Sequence, residues 1–324
     1  MSNVARFNLP KGVSTCLKGL ACLLIVLHHW CNVMMTIWHD NALLDLIALR
    51  GGVTGVAVFF FLSSYGLTRS QSKRRDDVLT FFKKRLIKVI VPLLITNVLW
   101  FVIRYHGQGF SHSVFQIINV YDLLDRVTWF CNVILVCYVI FFISSRVKSL
   151  WGRIASNWSL TLFLAALFIY LWPDDPYLVY SLVSFPLGFT IASLQDRMMP
   201  MPLVLGVCLI TMLFLGSLAI MANGFRQLFV ANVYSTGIIL IMLLIWIVCC
   251  RNTKIFNGLQ AVKTPLLMLG ACSYEIYLLH NKALMLHSEY GTSVWFPLSF
   301  LVVVIPLAIA LYIIDNKVNS LFTK

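Results

Sequence analysis

Lys18-Gly19-Leu20-Ala21-Cys22-Leu23-Leu24-Ile25-Val26-Leu27-His28-His29-Trp30 opens on a cation and places two adjacent histidines near the middle of an apolar segment running over residues 16–38. Hydrocarbon is a poor place for histidine. On a helix at about 100° per residue, the step from Lys18 to His29 brings the two side chains to within about 20° of each other, on one face. At about 1.5 Å of rise per residue they stand roughly 16 Å apart, which puts Lys18 at a membrane boundary and His29 close to mid-bilayer. His28 points roughly 80° away from His29's partner face. A polar stripe on a spanning helix is costly unless it faces a bundle interior or a wet cavity, so it reads as a functional site.

The rest of the chain agrees with a membrane setting. Sixty per cent of its 324 residues are apolar or aromatic and 11% are charged, against about 25% charged in soluble domains. Mean hydropathy is +0.87. The expected architecture is an all-α polytopic bundle of about ten transmembrane helices, near 16–38, 52–68, 86–103, 128–145, 158–172, 177–194, 201–222, 228–250, 264–286 and 293–314. With the N-terminus inside, only Arg50, Arg104, Arg126, Arg226 and Lys282 of the 25 Lys and Arg residues fall at or near the outer side. That asymmetry follows the positive-inside rule, and an even number of spans places both termini in the cytosol. The net charge of +13 is then a topology signal, and nucleic acid is not an expected partner.

The basic N-terminus before an apolar run resembles a secretory signal, but no A-x-A-like cleavage site follows, so the first helix is read as retained. The nine cysteines lie singly or as the Cys249-Cys250 pair, with no C-x-x-C and no Cys/His metal spacing, which predicts apolar packing and no metal. No linker or repeat interrupts residues 1–324, read as one transmembrane domain. His106 and His112, in the long loop from Arg104 to Val127, read as solvated loop residues.

Five segments together resemble the acyltransferase-3 family of integral membrane acyltransferases. The first is Lys18 with His29-Trp30, where many relatives carry arginine at the basic position. The second is Gly55-Val56-Ala57-Val58-Phe59-Phe60-Phe61-Leu62-Ser63-Ser64-Tyr65-Gly66, with Ser64 where a glycine is usual. Phe82-Lys83-Lys84-Arg85-Leu86-Ile87-Lys88-Val89-Ile90-Val91-Pro92 is similar to the family's basic approach to the third helix, with lysine at the second arginine position. Trp129-Phe130 and Ser273-Tyr274-Glu275-Ile276-Tyr277-Leu278-Leu279-His280 complete the set. Their order along the chain is the family's order.

The resemblance implies transfer of an acyl group, most often acetyl, from cytosolic acyl-CoA to a sugar hydroxyl of a cell-surface or exported glycan or glycolipid, by a multi-pass protein of the cytoplasmic membrane surrounded by lipid. The residues suit that chemistry. A sugar hydroxyl is a weak nucleophile, so its attack on a thioester gains from a base, and imidazole, with an ordinary pKa near about 6.5, offers a free nitrogen at neutral pH. His29 is the candidate base, against the alternative of a structural histidine bonded to a neighbouring helix. Lys18 would orient His29 through water or ligand, bind a donor phosphate, or anchor the helix at the boundary. Arg85 and Lys88 are candidates for the phosphates of coenzyme A. Ser63, Trp129, Tyr277 and His280 are candidate acceptor contacts, with interhelical hydrogen bonding the competing role for Ser63 and Tyr277. Glu275 is costly in hydrocarbon unless protonated or paired, Lys282 being one face-repeat away. The competing function class is a transporter of a glycan or a proton-coupled solute, whose usual mark is paired inverted halves with broken helices.

Overall fold

The computed structural model describes residues 9–35, 37, 41–73, 77–105, 129–173, 176–195, 201–221, 226–251 and 260–322, and every regular element among them is helical. In chain order these are α1 (Lys11–Met34), α2 (Ala42–Lys73), α3 (Val78–Tyr105), α4 (Trp129–Arg146), α5 (Leu150–Leu171), a 3₁₀ turn (Pro176–Val179), α6 (Ser184–Gln195), α7 (Met201–Met221), α8 (Arg226–Arg251), α9 (Gln260–Ala271) and α10 (Ser273–Glu289). A composite segment follows: a 3₁₀ turn (Ser293–Trp295), α11 (Phe296–Ser299), a π turn (Phe300–Val304) and α12 (Ile305–Phe322). Among the described residues, six helices are long and apolar enough to cross a membrane: Lys11–Met34, Ala42–Gln71, Trp129–Arg146, Leu150–Leu171, Arg226–Ile245 and Ser293–Val318. Large apolar side chains face outward along these and neighbouring helices, as Leu209, Ile210, Leu213 and Phe214 do on α7. Water would not tolerate such a stripe, whereas lipid does, and the chain is a multi-pass membrane protein.

Two of the ten expected spans take a different form. The stretch 177–194 is a 3₁₀ turn followed by a twelve-residue helix, and 264–286 breaks in two at Cys272, whose φ of −102° and ψ of 22° leave the helical region. The final span is helical but winds through a π turn. Pro306 lacks the N–H that would bond Val302, and a wider turn absorbs the mismatch. α1 also starts at Lys11, so Lys18 lies about 10 Å inside the helix rather than at its end.

The chain forms two compact units, one of Met1–Ala21, Val53–Arg75 and Val136–Gly270, the other of Cys22–Gly52, Asp76–Leu135 and Ala271–Lys324. In the first, Phe61, Leu62 and Tyr65 of α2 pack with Leu187 and Ile191 of α6, Cys208 of α7 and Ile239 and Leu243 of α8. The irregular backbone before α6 is satisfied from α8: Asn232 donates to the Val179 carbonyl at 3.0 Å and accepts from the Val183 N–H at 3.3 Å, and Ser235 donates to the Tyr180 carbonyl at 3.0 Å. Non-helical backbone at membrane depth survives only with such partners. Gly270 closes the same unit, because a Cβ there would run into the Thr15 carbonyl of α1.

In the second unit α10 is the central element, packed against α3, the π turn and α12. Its residues from Glu275 to His280 are all buried. A helix that carries Glu275, His280 and Lys282 belongs in such a position, packed among protein rather than facing lipid.

Candidate functional site

In the second unit, polar and aromatic side chains of α1, α10 and α4 meet. His29, from α1, meets His280, from α10, with ring centroids 5.3 Å apart. His28 meets His29 edge-on at 4.9 Å. The three imidazoles form a row that continues through Tyr277, whose ring lies 5.9 Å from His280, to Phe130 at 5.6 Å from Tyr277 and to Trp129 at 6.2 Å from Phe130. His29, His280, Tyr277 and Trp129 are thus brought together.

The helical spacing explains the convergence. Tyr274, Tyr277 and His280 recur every three residues and so follow one another around α10. Tyr274 donates its hydroxyl to the Val89 carbonyl of α3 at 2.8 Å and sits 3.4 Å from the Cys131 sulfur of α4, fixing the rotation of α10 between those helices. His280, one turn and a half on, is delivered to α1. Lys282 leaves by another face, its Nζ 5.6 Å from the Trp100 ring centre, a cation–π contact that offsets part of the cost of burying an ammonium. Trp30 ties the end of α1 to the 3₁₀ turn by donating to the Ser293 carbonyl at 3.0 Å.

His280 is 1% exposed. Its Nδ1 lies 3.1 Å from the Ile276 carbonyl, and a carbonyl can only accept, so Nδ1 carries the hydrogen and Nε2 presents a lone pair. That Nε2 is buried with no hydrogen-bond partner. A buried acceptor left open costs about 1 to 3 kcal/mol until a donor fills it. Glu275 Oε2 is a second buried polar atom without a partner.

His28 is the residue the sequence undervalued. Its ring occupies the space over Gly52 of α2, where an added Cβ would stand 2.7 Å from Cδ2. The Asn32 amide lies 3.3 Å from its Nε2. The signal for this was present as Gly51-Gly52, a helical pair with no side chain to refuse a ring.

The remaining candidates have surroundings of their own. Arg85 of α3 has its guanidinium carbon 5.8 Å from the Phe81 ring centre and a buried Nε without a hydrogen-bond partner. Lys88, one turn later, is exposed. Lys18 and Ser63 belong to the first unit, where the Ser63 hydroxyl sits 3.4 Å from the Tyr138 hydroxyl between α2 and α4. His106 and His112 lie outside the described residues.

One family description, an acyltransferase domain, matches residues 14–314, nearly the whole chain. No curated protein matches the chain, and no solved structure does.

Proposed function

The chain belongs to the acyltransferase-3 family and is a membrane acyltransferase, and from that premise we propose that it moves an acyl group, acetyl in the first instance, from cytosolic acyl-CoA to a sugar hydroxyl of a glycan or glycolipid, with His29 as general base. The observation that carries this reading is the open Nε2 of His280 beside His29. A sugar hydroxyl donated toward that lone pair would orient the acceptor and hold its neighbouring hydroxyl, with its own proton, desolvated and within reach of the His29 imidazole. His29 takes its proton as the oxygen attacks the thioester carbonyl, the tetrahedral adduct expels the coenzyme A thiolate, and the His29 imidazolium returns the proton to sulfur. The aromatic rings of Tyr277, Phe130 and Trp129 offer apolar faces for the C–H surface of a sugar.

The donor would be held by its phosphates at Arg85 and Lys88, the buried Nε of Arg85 being the feature that supports this. Guanidinium groups bind phosphate through charge-assisted hydrogen bonds. Lys18 would orient His29 through water or ligand, or bind a phosphate of the donor. Ser63 is assigned to helix packing, since its hydroxyl already faces Tyr138.

Acyl transfer by the purified protein in nanodiscs, followed with radiolabelled acetyl-CoA and an extract of the cell's own glycolipids, tests the proposal. It stands if labelled glycolipid forms and His29→Ala or His280→Ala abolishes it. It falls if those variants, folded and abundant, transfer at the normal rate.

A further inference from the structure

A second set of chemistry-bearing side chains lies where α10 ends, outside the imidazole row. His287, in the last turn of α10, places Nδ1 3.0 Å from the Thr292 carbonyl and 2.8 Å from the Thr292 hydroxyl, while its Nε2 stands 2.6 Å from the Ser299 hydroxyl. The carbonyl can only accept, so the hydrogen sits on Nδ1, and Nε2 is left to accept from Ser299. Phe296 packs edge-on against the ring at 6.0 Å and holds its plane. An orienting acceptor, an imidazole and a hydroxyl in that order form the arrangement that activates a serine, here with a backbone carbonyl in the place often taken by a carboxylate.

Two further features separate this from an ordinary turn clip. Ser299 immediately precedes the π turn Phe300–Val304, a rare geometry concentrated at functional sites. The segment also closes well without Ser299: the Thr292 N–H reaches the His287 carbonyl at 2.7 Å and the Trp295 N–H reaches the Thr292 carbonyl at 2.9 Å. Trp30, next to His29, is bonded to the same segment at Ser293.

We propose that Ser299 and His287 form a second catalytic dyad, which takes the acyl group as a serine ester before the acceptor receives it. This rests on the reading of the chain as a transferase using an acyl thioester with His29 as base, and it replaces the single direct attack on the thioester by two successive transfers. In the first step the Ser299 oxygen attacks the thioester carbonyl, the C–S bond breaks, the hydroxyl proton passes to His287 Nε2 and coenzyme A leaves as thiolate. In the second, the acceptor hydroxyl gives its proton to His29 and attacks the serine ester. The C–O bond to Ser299 breaks, His287 returns its proton to the Ser299 oxygen, and the His29 proton goes to the thiolate.

The test uses the full-length protein in nanodiscs. A fluorophosphonate probe reads the nucleophilicity of Ser299 without any acyl donor, and acetyl-CoA without acceptor reads acylation, both located by peptide mass spectrometry. The expected result is modification of Ser299 by both reagents, lost in Ser299→Ala and reduced at least tenfold in His287→Gln. With acceptor present, His29→Ala should accumulate acetyl-Ser299 while the wild type turns it over. If Ser299 reacts with neither reagent while Ser299→Ala transfers acyl groups at the wild-type rate, the dyad is overturned and the proposed activity stands. If acetyl-Ser299 forms but discharges equally fast in His29→Ala, the dyad stands and the assignment of His29 fails.

Discussion

At His29 the argument turns on what a ring can reach. Its neighbours are His280 at 5.3 Å and His28 at 4.9 Å, and general-base assistance is typically worth about 10² to 10⁴ in rate. His29→Ala should therefore lower kcat by at least about a hundredfold, with acyl-CoA affinity near normal, because the lost interaction belongs to the transition state. Steady-state kinetics on reconstituted protein decide it, and retention of most activity would move the base elsewhere. From the stripe geometry alone, His28→Ala should be far milder. The structure sharpens that expectation: His28 lies edge-on to His29 from its niche over Gly52, so His28→Ala should cost a few-fold, and Gly52→Ala, which forces the ring out of that niche, should cost more than His28→Ala. The reverse order in the same assay would show that the niche has no bearing on His29.

Among the elements, much of the site was legible because helices obey a period. Spacing alone put Lys18 and His29 on one face of α1, whereas Tyr277, His280 and Trp129 were singled out by the family resemblance of the segments that carry them. The break at Cys272 and the niche over Gly52 could be read from neither, since both depend on which backbone comes close in three dimensions. The same holds for Ser63, whose partner Tyr138 is distant in sequence. Close approach is also what makes Gly270 irreplaceable. Its Cα lies against the Thr15 carbonyl of α1, so Gly270→Val should destabilise the protein by about 1 to 3 kcal/mol through overpacking, seen as a lower Tm in detergent, whereas a valine at Gly206, with open space around it, should leave Tm nearly unchanged. Equal shifts at the two positions would refute the packing account. On α3, replacing both Arg85 and Lys88 with Gln should weaken acyl-CoA binding by about 2 to 6 kcal/mol, at about 1 to 3 for each charge-assisted contact. Calorimetric titration measures it, and unchanged affinity in the folded double variant would leave the two residues as topology signals.

Over the whole molecule, the strongest competitor to a transferase was a transporter, and the interrupted helix at Cys272 is the kind of feature transporters use. Transport architectures pair such breaks across two related halves, and the family match over residues 14–314 places the chain among acyltransferases. Direction then matters, because the proposed cytosolic acyl-CoA could serve the site only if the basic start of α3 faces the cytosol. Lys83, Lys84, Arg85 and Lys88 crowd that end of α3, and Arg146, Lys148 and Arg153 crowd the turn between α4 and α5. Positive charge held on the cytosolic side predicts that both of these ends, together with the two termini, are cytosolic. Single cysteines introduced at Asp77 and Ser320, both exposed, on a background lacking the native cysteines, should resist an impermeant maleimide added to intact cells and react once the membrane is opened. A cysteine at Asn41, exposed between α1 and α2, should react from outside. Labelling of position 77 or 320 on intact cells would invert the orientation, and with it the side from which the proposed donor would reach Arg85.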